Sequence, residues 1–313
     1  MLALFLQTLN VTAPVFAMLF LGYGLKRIDW INDNFIKTAS ALVFNVCMPS
    51  LLFLGIYHAD LHAALKPGLL VYFVVATVGS FSIAWWIAIK CCPEVDRGVF
   101  TQGAFRGNNG VIGLALAGSM YGDYGISLGS ILAGLVIVLY NSLSAVVLAI
   151  YSPNTKSDPL SIGKSILLNP LIISVIVAVP LAWLQVPIPN WILTSADYVA
   201  QMSLPLALIC IGGTLSLAAL RSSGSVALNA SAVKMILLPI ICTLGAWLLG
   251  FRGAELGILF LYIGAPSASV GYVMARASGG NYSLAAAIIV ITTLAAAITT
   301  NIGIFLLQWG GWI

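Results

Sequence analysis

The sequence predicts an all-α membrane protein. Ten transmembrane helices would form two inverted five-helix repeats, with broken, crossing helices 4 and 9. Three observations carry this reading. The first is composition: of 313 residues, 61% are apolar and 7% are charged, against about 25% charge in a soluble domain. Thirteen Lys and Arg with nine Asp and Glu are too few to solvate a protein of this size. The second is that polar punctuation divides the chain into ten apolar stretches of bilayer-crossing length, about 20 residues at 1.5 Å each. The third is that landmarks in the first half return in the second.

The ten stretches run roughly over 5–25, 36–56, 67–89, 99–119, 125–150, 165–184, 198–220, 226–249, 255–275 and 283–307. They are too long for barrel strands and do not alternate as such strands do. The first has no basic residue before Lys26 and no cleavage pattern after it, so it reads as a retained membrane helix. Lys26, Arg27, Lys37, Lys90, Arg97, Lys156, Lys164, Arg221 and Arg276 fall on odd-numbered loops, and only Lys66 and Arg252 on even ones. Cytoplasmic loops carry the basic excess. Both termini are therefore expected on the non-cytoplasmic side, and the short loops fit a bacterial inner membrane.

Pro14 and Pro170 lie 156 positions apart, as do Pro49 and Pro205. Gly113 and Gly271 lie 158 apart, as do Gly122 and Gly280. Such a nearly constant offset indicates duplication. A five-helix unit contains an odd number of crossings, so its copy enters from the opposite face. Residues 1–152 would form the first repeat, 153–163 a cytoplasmic linker, and 164–313 the second.

Two stretches are poor continuous helices. The fourth contains Arg106-Gly107-Asn108-Asn109-Gly110, and paired Gly and Asn disfavour helix. The ninth contains Pro266 within Gly264-Ala265-Pro266-Ser267-Ala268-Ser269. Proline there removes a donor and clashes with the preceding turn. On the repeat offset Asn108 matches Pro266 and Asn109 matches Ser267. Broken helices at matching positions should meet near the midplane. Their free N–H ends attract an anion, and Asn108, Asn109, Gly110, Pro266, Ser267 and Ser269 become candidate substrate-binding residues. The competing reading is that small residues only let helices pack closely.

Arg106 admits two readings: snorkelling toward solvent or pairing with an anionic substrate. Lys234, similarly deep in the eighth stretch, reads more readily as structural. Asn45 lies one turn before Pro49, and Asn141 sits in the fifth stretch; both are cavity candidates. Pro49 and Pro205 either kink helices around the cavity or only shape packing. Asp123 is expected on a surface loop. Asp197 and Glu255 lie near stretch ends, so no deep acidic pair signals ion coupling. The five cysteines suggest neither a disulfide framework nor a metal site, and His58 with His62 reads as a surface pair. No zinc, phosphate-loop or nucleophile-elbow motif is present. Neither enzymatic chemistry, a cofactor nor a nucleic-acid partner is expected.

Leu21-Gly22-Tyr23, Asn45-Val46-Cys47-Met48-Pro49, Asn109-Gly110-Val111-Ile112-Gly113 and the Pro266 break occur in this order. In this pattern the whole chain resembles the auxin efflux carrier family, in its bacterial malonate- and malate-transporter-like branch, with a bile-acid-transporter-like fold. The resemblance implies that helices 4 and 9 cross at the substrate site, at Asn109, Gly110, Pro266 and Ser267. It implies a scaffold of helices 1, 2, 6 and 7, a moving core of helices 3–5 and 8–10, and a homodimer through the scaffold. The ninth stretch lacks a matching Asn, and residues 67–89 lack Asp and Lys, which argues against auxin itself. The expected function is elevator-type transport of a small organic anion such as a mono- or dicarboxylate, with efflux one of the two directions open to it. Two alternatives stand: a sodium- or proton-coupled symporter or antiporter of the same fold, and a channel or sensor without alternating access.

Overall fold

In the computed structural model of the protein, the described residues are 2–58, 66–151, 168, 170–214 and 224–313. The expected linker at 153–163, His62 and Arg221 lie outside them. The described residues are helical, and no strand occurs among them beyond a single two-residue bridge. The helices are α1 (Leu2–Arg27), α2 (Asp33–Leu42), α3 (Met48–Tyr57), α4 (Pro67–Cys91), α5 (Arg97–Phe105), α6 (Leu114–Tyr151) and α7 (Pro170–Trp183). They continue with α8 (Asn190–Gln201), α9 (Ser203–Thr214), α10 (Ser225–Ala232), α11 (Leu238–Leu248), α12 (Gly253–Ile263), α13 (Val270–Ala277) and α14 (Tyr282–Trp309). Two π-helical turns, Val43–Cys47 and Val233–Leu237, join neighbouring helices into longer rods, and a third, Asn109–Gly113, begins the run that continues as α6.

Among the described residues, six helical segments are long and apolar enough to cross a bilayer: Asp33–Tyr57, Pro67–Cys91, Asn109–Tyr151, Asn190–Thr214, Ser225–Leu248 and Tyr282–Trp309. Pro170–Trp183 and Gly253–Ile263 are shorter apolar helices. Val71, Val75, Ile236, Ile240, Leu244 and Ile298 stand exposed on these rods. Water would penalise such a surface, whereas hydrocarbon accepts it. The protein is an integral membrane protein.

Local chemistry explains the punctuation. Asn32 and Asn281 accept hydrogen bonds from the N–H groups of Phe35 and Leu284 at 2.9 and 3.0 Å, capping α2 and α14. Pro49 and Pro239 stand at the starts of α3 and α11, just past π turns. A proline cannot donate to the preceding turn, and the wider turn takes up the mismatch.

One sequence boundary needs correction and one holds. The fourth and fifth stretches were expected to part around 120–124, and the helix is broken there at Gly122, whose φ of 57° and ψ of −139° only glycine adopts readily. The two halves of α6 pack back on each other beyond this tight turn, with Gly125 against Ala117 and Gly129 against Leu114, and Asp123 in the turn is exposed. The seventh stretch begins at Asn190 rather than near 198 and is interrupted at Met202, shortly before Pro205.

Packing brings α1 against α9, α3 against α7 and α8, α4 and α6 against α5, and α10 against α14. The first contact is the tightest. A Cβ on Gly22 would lie 2.1 Å from the Ile209 carbonyl oxygen, and one on Gly212 would lie 1.9 Å from that of Leu19. Gly22 is the middle residue of the Leu21-Gly22-Tyr23 element, and its role is to let two backbones touch. Deeper in the fold Tyr262 is fully buried, donates its hydroxyl to the Gly129 carbonyl at 2.6 Å and meets the Phe73 ring edge-on.

Gly212→Val should cost about 1–3 kcal/mol or more through overpacking and lower the melting temperature in detergent. Gly24→Ala, where an added Cβ meets nothing within 4 Å, should be neutral or slightly stabilising.

Candidate substrate site between the interrupted helices

α5 ends at Phe105, and helix resumes at Asn109; α12 ends at Ile263, and helix resumes at Val270. The two gaps pair with each other. Gly107 and Ser267 form an antiparallel bridge, the Asn108 N–H donates to the Pro266 carbonyl at 2.7 Å, and the Ala268 N–H donates to the Arg106 carbonyl at 3.3 Å. The Ser267 N–H donates to the Thr292 hydroxyl at 3.0 Å. Each gap thereby satisfies backbone groups that hydrocarbon would leave bare.

A cavity of 520 Å³ opens against this crossing. Phe44 and Met48 line it from the second stretch, Arg106 through Val111 from the fourth, and Val136, Ile137, Tyr140 and Asn141 from α6. Leu171, Ala268, Val270 and Met274 complete most of the wall. Two helix starts, at Asn109 and Val270, belong to the lining. At Val270 the Gly271 and Tyr272 N–H groups donate to the Ala268 and Ser269 carbonyls at 2.9 and 3.2 Å, whereas the first residues of the Asn109 start have no preceding turn to bond; both helix dipoles place partial positive charge there.

Among the described residues Arg106 is the single charged member of the lining, and it is only 7% exposed, so it does not snorkel into solvent. Its Nη2 donates to Asn141 Oδ1 at 2.9 Å. Its Nη1 reaches the Tyr140 carbonyl, the Ser144 hydroxyl and Met274 Sδ, each at 3.3 Å. Tyr140 also lies beneath the guanidinium, with its ring centroid 5.9 Å away. Nε is buried without a partner, and no carboxylate pairs with Arg106 among the described residues. A buried cation whose only partners are neutral retains most of its attraction for an anion.

Asn109 Nδ2 donates to the Tyr140 hydroxyl at 3.4 Å, while its Oδ1 has no partner. Gly107 must be small, since a Cβ there would lie 2.2 Å from Asn109 Oδ1 and 3.1 Å from Lys234 Nζ.

The structure brings together Arg106, Asn108, Asn109, Gly110 and Asn141 on the cavity wall. Pro266 and Ser267 stand behind them as backbone partners of the opposite gap. Ser269 is half-buried with an unpartnered hydroxyl and is not part of the lining. Asn45 departs from expectation: it is exposed and donates to the Ala41 carbonyl of its own helix at 2.7 Å. The π turn that contains it presents Phe44 to the cavity instead, and α3 adds Met48 directly after it. Tyr140, Ser144, Met274 and Thr292 were not singled out from sequence. Tyr140, Asn141 and Ser144 had one available signal, polar groups one helical turn apart in an apolar stretch.

An interrupted-helix cavity lined by one unpaired cation, inside a bundle of apolar rods, defines a membrane protein built to handle a polar solute. The profile of the membrane transport protein family matches residues 9–304, and the chain belongs to that family, the auxin efflux carrier family. Three relatives bear on it. An uncharacterized transporter of Methanothermobacter thermautotrophicus is 23% identical over 93% of this chain and 95% of its own length. One of Methanocaldococcus jannaschii is 23% identical over 97% and 98%. The uncharacterized transporter YfdV of Escherichia coli is 23% identical over 84% and 85%. The protein is a membrane transporter.

Thr292→Val removes the acceptor of the buried Ser267 N–H. It should cost about 1–3 kcal/mol, read as a lower melting temperature, with Thr292→Ser close to the parent.

Proposed function

We propose that the protein carries a small organic anion, a mono- or dicarboxylate, across the membrane by alternating access of the elevator type. The observation that carries this reading is Arg106: a buried guanidinium on the cavity wall, held by neutral groups, with Nε free. The helix starts at Asn109 and Val270 add positive potential on the same wall, and the Asn108 and Asn109 amides add hydrogen-bonding groups. Apolar side chains such as Phe44, Met48, Val136 and Leu171 make up much of the remaining wall and suit the carbon skeleton of such an anion. Among the described residues no Asp or Glu lines the cavity, which weighs against a coupled symporter or antiporter with a carboxylate at the crossing.

In this reading the chain has ten spans in two inverted repeats. Helices α1, α2, α3, α7, α8 and α9 belong to a scaffold and the remaining spans to a transport core. The packing of α1 on α9 and of α3 on α7 and α8 supports that grouping, as does a cavity whose walls come from both sides of the division. The core would carry the anion past the scaffold, exposing the cavity to each face in turn.

The test is uptake of labelled malate, malonate and indole-acetate into proteoliposomes, with Arg106→Gln and Asn109→Ala beside the parent. Losing one charge-assisted hydrogen bond is worth about 1.5–3 kcal/mol, so Arg106→Gln should weaken apparent affinity by about 10- to 100-fold. Saturable carboxylate uptake by the parent that falls in both variants is expected. Equal uptake by parent and Arg106→Gln would overturn the assignment, and flux that never saturates would favour a channel.

A further inference from the structure

A second buried cation lies on the opposite side of the crossing. Lys234 is 1% exposed. Its Nζ donates to the Ile263 carbonyl at 3.0 Å and to the Phe105 carbonyl at 3.4 Å. Those are the last residues of α12 and α5, the two helices that end at the gaps. Neither ion pair among the described residues involves Lys234. The arrangement mirrors the cavity: helix starts face Arg106, and helix ends face Lys234. Each helix C-terminus carries about half a unit of negative charge. Two such ends meeting at one point amount to about one unit, which a single ammonium balances.

Local sequence puts the ammonium there. Lys234 occupies the π turn Val233–Leu237 ahead of Pro239, so the rod is widened where the lysine leaves it. Thr77, Ser80, Phe105, Tyr140, Leu238 and Ile263 surround it, leaving a gap of about 10 Å³. That is about the room one water needs, with no space for a hydrated inorganic ion. Gly107 keeps the approach open, as its missing Cβ would stand 3.1 Å from Nζ.

We infer that Lys234 is a tethered counter-cation for the paired helix ends, occupying the position a mobile monovalent cation would otherwise have to fill. The transport cycle then runs without bound sodium or potassium. This extends the reading of an anion transporter to its ion requirement, and the first test below needs no anion.

Purified parent and Lys234→Ala are melted in chloride salts of sodium, potassium, methylammonium and the bulky N-methylglucamine. The parent should melt at one temperature in all four. Lys234→Ala should melt lower in N-methylglucamine and regain several degrees in methylammonium, saturably, as the small cation enters the vacated space. A parent that needs sodium or potassium for its stability, or an alanine variant indifferent to every cation, overturns the inference. If Lys234→Ala does not accumulate, Lys234→Met, of similar length and uncharged, is melted beside the parent. A Met variant at parental stability overturns the inference, because the lysine would then be only a filler, and a lowered melting temperature supports it. In proteoliposomes, parent uptake of whichever carboxylate is carried should be unchanged when N-methylglucamine replaces sodium and potassium. A failure of carboxylate uptake itself bears on the function and leaves the melting result intact.

Discussion

Backbone polar groups cannot be left bare inside a hydrocarbon slab, and two segments of this chain stop being helical inside apolar rods. Everything distinctive about the molecule follows from how that conflict is resolved. The gap at 106–108 and the gap around 266–268 hydrogen-bond to one another through Asn108, Pro266, Arg106 and Ala268, with Thr292 taking the N–H of Ser267. Once the gaps are paired, four helix ends are fixed around a single point, two of one electrical sign and two of the other. The side chains that gather there answer that pattern.

The two buried cations are placed by this arrangement and not by ion pairing. Arg106 is secured by carbonyl, amide, hydroxyl and thioether groups of α6 and α13, all neutral, so its charge remains uncompensated toward the cavity. Lys234 rests on carbonyls whose helices already bias that point negative. A positive group is thus held ready on one side of the crossing and consumed on the other. Burying charge without partners is costly, and a fold that does so at one location is using the charge there.

Much of this was legible in the residues. Gly107, Asn108, Asn109 and Gly110 in one apolar stretch, with Pro266 in another, marked both gaps, because glycine, asparagine and proline act on the backbone of their own segment. Membership in the family was legible through the same elements, and Gly22 among them is explained by its contact with the Ile209 carbonyl. What resisted was every relationship between distant segments. Nothing near Lys234 in sequence announces that its partners are Phe105 and Ile263. Nothing near Asn45 says that a π turn rotates it away from the cavity and leaves Phe44 facing inward.

The bridge between Gly107 and Ser267 joins positions separated by more than half the chain. During synthesis the earlier segment leaves the ribosome long before its complement exists. Until the later segment arrives, the N–H of Asn108 and the carbonyl of Arg106 have no native acceptor or donor, and the nascent protein must shelter them with water, lipid headgroups or the insertion machinery. Completion of the membrane-embedded chain is therefore tied to its last third, and a ribosome stalled before Pro266 leaves behind an intermediate that cannot finish its own interior.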